Sequence, residues 1–122
     1  SHASVERRAR PCGSRITLDL ALAPDGRVGA IGLAINACAI GQAAAGLVAE
    51  HAPGRSVDDL VTAALAVEGW LAGDSTALPD WPGMDLLAPA LAHPARHGAL
   101  LLPFAAAAEA AGLAVEARRS AA

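Results

Sequence analysis

Residues 15–36 read RITLDLALAPDGRVGAIGLAIN, and this stretch predicts the centre of the fold. Over 15–23, Ile and Leu alternate with polar or small residues, which is the period-two pattern of a strand with one buried face. Pro-Asp-Gly at 24–26 supplies a turn, and a second apolar strand is predicted over 27–35. Antiparallel pairing about the turn brings residues whose numbers sum to roughly 50 opposite one another.

The two cysteines of the chain, Cys12 and Cys38, lie thirteen residues on either side of Asp25 in the predicted turn. Antiparallel pairing therefore brings both thiols to the same end of the hairpin. A shared metal ion, a disulfide and a sulfur-relay pair are all consistent with this placement. Spacing alone does not choose among them.

Length and charge narrow the class of protein. A chain of 122 residues has the size of one domain that can bury a core without disulfides or metal. All nine basic residues are arginines and the net charge is -3, so no basic field of the kind needed for nucleic-acid binding is present, and we predict no nucleic-acid partner. We interpret residues 1–11, with their arginine cluster, as an N-terminal lead that is disordered or an edge strand, 12–113 as the single domain, and 114–122 as a tail.

Residues 28–49 carry no charge, which raises the question of a membrane-spanning helix. Asn36 and Gln42 would lie near the bilayer centre, and the first third of the segment alternates like a strand, so we predict no membrane span. The first eleven residues are polar and rich in arginine, so no secretory signal is predicted and a reducing, cytoplasmic setting follows. Metal or persulfide chemistry is then favoured over a disulfide.

Helices are predicted after the hairpin, over 38–50, 56–71, 84–91 and about 96–111. The second begins with a capping-box-like Ser56-Val57-Asp58-Asp59, and Pro103 is predicted to mark a bend or a restart in the last. The predicted fold class is therefore α+β, with a small antiparallel sheet (hairpin 15–23/27–35) packed against three to four helices.

Cys38 begins the first predicted helix and is the best candidate for a reactive or ligating thiol. Unpaired N–H groups and the dipole at a helix N-terminus stabilise negative charge, which assists both metal ligation and nucleophilic attack. A buried structural thiol is the alternative. His93 and His97 precede the last predicted helix, and either imidazole could join two thiolates to give three ligands of borderline-soft type.

Three segments, taken together, resemble one protein family. They are Cys-Gly-Ser at 12–14 before the hairpin, Ala-Cys-Ala-Ile at 37–40 at the start of a small-residue helix, and Pro-Ala-Arg-His-Gly-Ala-Leu-Leu at 94–101. In this order and spacing, the chain resembles the NifU/IscU-type iron–sulfur cluster assembly scaffolds over nearly its whole length. The resemblance implies a SufE/NifU-like α+β fold with a surface site for zinc, iron or a nascent [2Fe-2S] cluster. Cys12, Cys38 and His97 match the family's ligand positions.

Two positions depart from the family pattern. Ser14 replaces an aspartate, and Gly98 stands where the third cysteine is expected. Three candidate ligands then remain, so the protein is expected to hold a labile cluster, to use an outside ligand such as a small thiol or a second subunit, or to bind zinc without building clusters.

The function implied by the resemblance is that of a scaffold, not an enzyme. A cysteine desulfurase would supply sulfur, and apo-acceptor proteins would receive the cluster from a monomer or weak homodimer. The alternative is a degenerate relative that binds zinc, or no metal, and modulates the assembly machinery. Catalysis by Cys38 with His97 as base has less support, because no pattern supplies an orienting third group or an oxyanion site.

Overall fold

The computed structural model describes residues 1–10 and 13–121, in which one face of an antiparallel sheet packs against helices. The strand order is β1-β2-β3. The strands are β1 (His2–Arg8), β2 (Arg15–Leu22) and β3 (Val28–Asn36). The helices are α1 (Ala39–His51), α2 (Val57–Leu71), α3 (Met84–Leu87) and α4 (His97–Ala121), with two 3-10 turns at Ala88–Ala92 and Pro94–Arg96 between α3 and α4. The predicted α+β fold class is confirmed.

The predicted hairpin is present as β2 and β3. Ile16, Leu18 and Leu20 are buried on one face of β2, while the residues between them are exposed. Gly26 has a φ of 87°, a left-handed conformation that an L residue with a side chain rarely adopts, and its N–H donates to the Ala23 carbonyl to close the turn. The ladder runs from the Arg15 to Asn36 pair up to a bulge beside Leu22.

Helices α1 and α2 begin where the sequence predicts. Cys38 is the N-cap residue of α1. Ser56 and Asp59 form the predicted capping box of α2, in which each side chain accepts a hydrogen bond from the other residue's backbone N–H.

The sequence predicts a lead over 1–11, disordered or an edge strand, and a tail over 114–122. In the structure, the described residues at both ends belong mostly to regular secondary structure. Residues His2–Arg8 form β1, which is the edge-strand alternative, and pair with β2 without interruption. The last helix runs to Ala121, ten residues beyond its predicted end at 111, and continues through Pro103 without a restart. Ala114 is buried within it, and Arg118 donates to the Ser1 hydroxyl and the Ala23 carbonyl, so tertiary contacts hold this last part of α4.

Helix α3 is shorter than the predicted 84–91. It stops after Leu87 and continues as a 3-10 turn over Ala88–Ala92. Pro89 lies in this turn, and because proline has no N–H it cannot supply the hydrogen bond that would extend α3.

Of the described helices, one is long and apolar enough to cross a membrane by length and composition alone. It covers Pro94–Ala121, with a mean hydropathy of 1.7 in its most apolar window. Because 56% of that window is buried inside the protein, and α4 packs against both β1 and β2, we assign it as the core helix.

Helices α1 and α4 touch at a glycine. A Cβ built at Gly41 would lie 2.6 Å from the Ala37 Cβ and 3.2 Å from the Ala99 Cβ. The first is closer than side-chain carbons approach, so only glycine fits without movement. Gly41 in α1 and Ala99 in α4 therefore bring the first turns of the two helices into direct contact.

We predict that Gly41→Ala lowers the free energy of unfolding by about 1–3 kcal/mol, because the added methyl overpacks this contact. Gly46→Ala in the same helix is the matched control. Gly46 is exposed and an added Cβ there meets nothing within 4 Å, so the better helix propensity of alanine should stabilise by about 0.5–1 kcal/mol. Urea unfolding followed by circular dichroism measures both. Equal stability of the two variants would contradict the close approach.

Candidate functional site

The site end of the sheet, defined as the end where β2 begins and β3 ends, is where the predicted site residues should meet. Arg15 of β2 pairs with Asn36 of β3 at this end. Gly13 precedes Arg15 by two residues, and Cys38 follows Asn36 by two residues. Gly13 and Cys38 thus lie at the same end of the sheet, and the convergence of the two thiols stays a prediction. Cys12 itself lies outside the described residues.

Helix α4 begins at the same end. Cys38 precedes Gly41 by three residues, which is about one helical turn, and His97 precedes Ala99 by two. Because Gly41 and Ala99 are in contact, the N-terminus of α1 and the N-terminus of α4 lie side by side. Cys38 and His97 therefore occupy adjacent helix starts, although they are 59 positions apart in the sequence.

Cys38 presents an exposed, free thiol. Its backbone is extended, with φ of -65° and ψ of 174°, and its carbonyl accepts the first helical hydrogen bond, from Gln42. The thiol makes no capping hydrogen bond to α1. The sulfur can thus bind a ligand without giving up a helix cap, and the buried structural thiol is excluded at this position.

His97 is held by a backbone contact. Its Nε2 lies 2.9 Å from the carbonyl oxygen of Leu91 in the preceding turn. A carbonyl oxygen only accepts, so Nε2 is the donor in this contact, and in the neutral ring Nδ1 then carries the lone pair. A histidine that ligates a metal through one nitrogen commonly donates from the other to a carbonyl, which sets the ring orientation. The second candidate, His93, is exposed and lies between the two 3-10 turns.

The three predicted ligands are not all placed by the structure. Within residues 1–10 and 13–121, no group of three or more His, Cys, Asp or Glu side chains is arranged to hold a metal ion. Ser14, at the position of the expected aspartate, is 5% exposed. The donors available near the helix starts are the thiol of Cys38 and Nδ1 of His97, both suited to zinc or iron, so the chemistry fits such a metal while the full ligand set stays a prediction.

The sequence interpretation missed a basic rim at the site end. Arg8 of β1 lies directly opposite Arg15 of β2, and Arg10 follows β1 at its end. The run of arginines was visible in the sequence but was assigned to a solvated lead. Pairing of β1 with β2 could have been suspected only from the weak alternation over His2–Arg8, in which Val5 is the buried centre.

Known structures share this fold. A nitrogen-fixing NifU-like protein (N-terminal) from Brucella abortus superimposes with a TM-score of 0.81 at 30% sequence identity, over 95% of this chain and 79% of that chain. A protein from Fervidobacterium islandicum, described as an iron–sulfur cluster assembly scaffold for the SUF system, superimposes with a TM-score of 0.79 at 18% identity, over 89% of this chain and 79% of that chain. The second likeness concerns the fold alone.

No protein-family model matches the chain, and no curated protein sequence matches it. The likeness to the Brucella protein nevertheless extends over nearly the whole chain at 30% sequence identity. We conclude that the chain belongs to the NifU-like family, as a divergent member with the NifU/IscU-type scaffold fold.

Proposed function

We propose that this protein is a cytoplasmic iron–sulfur cluster assembly scaffold that holds iron, a nascent [2Fe-2S] cluster or zinc through Cys12, Cys38 and His97, and passes the cluster to apo-acceptor proteins. The observation that carries the proposal is the contact between Gly41 and Ala99, which brings the free thiol of Cys38 and the oriented imidazole of His97 to adjacent helix starts. Membership of the NifU-like family supports the same assignment.

Each residue has a distinct role in the proposed site. Cys38 supplies one thiolate from the N-cap position of α1, and Cys12 supplies the second. His97 supplies Nδ1 from a ring held in place by the Leu91 carbonyl. Iron and sulfide are cargo here; the proposed source of the sulfur is the persulfide of a cysteine desulfurase, whose outer sulfur becomes sulfide on taking two electrons from an external reductant. With one thiolate fewer than a three-cysteine site, the cluster is held more weakly, which suits release to an acceptor.

We predict that protein reconstituted anaerobically with iron and sulfide shows the visible charge-transfer absorption of a [2Fe-2S] cluster, and that Cys12→Ser, Cys38→Ser and His97→Ala each reduce it. Transfer to an apo-ferredoxin, followed by circular dichroism, measures release. His51→Ala is the control, because His51 ends α1 about 20 Å from Cys38 along the helix. A cluster yield unchanged in all three site variants would overturn the proposal.

The second candidate is a zinc-binding modulator of the assembly machinery, and the glycine at position 98 favours it because the expected third thiol is missing. This candidate predicts one zinc per chain that is lost in Cys38→Ser and that iron cannot replace. Metal analysis of anaerobically purified protein, before and after an excess of ferrous iron, separates the two functions. Displacement of zinc by iron, with formation of a cluster on addition of sulfide, decides for the scaffold.

A third prediction concerns the imidazole. On zinc binding, the nitrogen-15 resonance of His97 Nδ1 should shift while Nε2 remains protonated, because Nε2 donates to the Leu91 carbonyl. His97→Ala should weaken zinc binding by more than the roughly 10–100-fold that loss of an outer hydrogen-bond partner costs. His93→Ala is the control and should leave affinity unchanged. A zinc-induced shift of Nε2 in place of Nδ1 would contradict the predicted ligand atom.

A further inference from the structure

Strand β3 forms one of the two edges of the sheet, because the strand order is β1-β2-β3. At its start, Val28 is bonded on the side away from β2: its N–H donates to the Arg55 carbonyl, and its carbonyl accepts from the Gly54 N–H. Over 30–36, no backbone group has a hydrogen-bond partner on that side among the described residues. In an antiparallel sheet, alternate residues direct both backbone groups away from the neighbouring strand. Residues 30–36 therefore form an open edge, which we call the β3 edge.

The β3 edge lacks the features with which proteins usually prevent a strand edge from pairing with another chain. Charged side chains, prolines and bulges serve that purpose. The sequence over 30–36 is AIGLAIN, without charge or proline, and the bulge in the pairing of β3 with β2 lies before it. The opposite edge of the sheet, β1, carries Glu6, Arg7 and Arg8. Of the two edges, only the β3 edge is thus open to a further strand.

The two faces of the β3 edge carry different side chains. On the face toward the helices, Ile31, Leu33 and Ile35 pack against the core but remain partly exposed, so the helices do not cover this strand completely. On the other face, Gly32 and Ala34 are exposed, and a Cβ built at Gly32 meets nothing within 4 Å. A further strand would therefore cover apolar surface on one face and meet only small side chains on the other.

The sequence of the β3 edge is complementary to itself. When two copies pair antiparallel about a two-fold axis through Leu33, the two ends of the segment 30–36 lie opposite each other. Ile31 then faces Ile35 of the second copy, and Leu33 faces its own equivalent. On the other face, Gly32 lies opposite Ala34 of the second copy. Every one of these pairs is apolar or small and no like charges meet, which favours pairing across the two strands.

We propose that the β3 edge binds the β3 edge of a second copy of this chain in antiparallel orientation, so that two three-stranded sheets become one continuous sheet. This inference goes beyond the proposed function and does not depend on it. A contact between two short strands is smaller than the standard protein interface of roughly 1,600 Å², so we expect a weak dimer with a Kd between about 1 μM and about 1 mM. Because each copy offers one open edge, the assembly closes at two copies.

The proposed pairing keeps the candidate metal sites of the two copies apart. Asn36 lies at the site end of β3, and in the antiparallel register it lies opposite Ala30 of the second copy. At about 3.4 Å per residue, the Asn36 residues of the two copies are roughly 20 Å apart along the strands. Each copy therefore keeps its own site, and this dimer does not supply a fourth ligand from the second subunit.

Sedimentation of the full chain from about 1 μM to about 1 mM measures the monomer–dimer equilibrium. A chelator and a reducing agent exclude dimers held by a shared metal or a disulfide. Gly32→Lys/Ala34→Lys places like charges opposite each other twice per dimer and should raise the Kd by at least about tenfold. Gly32→Lys/Ala34→Glu is the matched control, because it places lysine opposite glutamate and should keep the dimer. Urea unfolding checks that both variants are folded.

Amide hydrogen exchange gives a second readout. The amides of 30–36 that point away from β2 should exchange slowly in concentrated wild type and rapidly in dilute wild type, and rapidly at both concentrations in Gly32→Lys/Ala34→Lys. A wild type that stays monomeric at about 1 mM, or that forms species larger than dimers, contradicts the proposal. Equal dimerisation of the two variants also contradicts it, because the dimer then uses another surface or register. Slow exchange of these amides in a monomer would mean that another part of the chain covers the edge, and would likewise refute the dimer.

Discussion

The close approach of α1 to α4 at Gly41 is the constraint on which the candidate site depends. A methyl group at this position would lie 2.6 Å from the Ala37 Cβ, just before α1, and 3.2 Å from the Ala99 Cβ of α4, so both neighbours would have to move. With glycine at position 41, Cys38, which follows β3, and His97, which begins α4, lie at adjacent helix starts. The composition is consistent with a close approach of the helices, because aromatic residues make up only 2% of the chain and the helices are rich in alanine.

Near that contact, the strands and helices position the thiol of Cys38 and the imidazole of His97. The β2–β3 ladder sets where Cys38 leaves the sheet, and the thiol is free because α1 does not use it as a cap. The 3-10 turns before α4 bring the Leu91 carbonyl to the His97 ring. Neither group is buried, so both are accessible at the surface of the protein.

The sequence by itself determined the hairpin, the starts of α1 and α2 and the family resemblance, because alternation, turn residues and capping residues act over a few positions. It did not determine that the lead pairs as β1, that α4 extends to Ala121, or that Arg8 faces Arg15. Only the tertiary structure decided these, since β1 depends on pairing with β2, and the end of α4 on contacts with Ser1 and Ala23 from the opposite end of the chain. A local sequence pattern does not identify partners that lie far away in the sequence, and these contacts exist only in the folded protein.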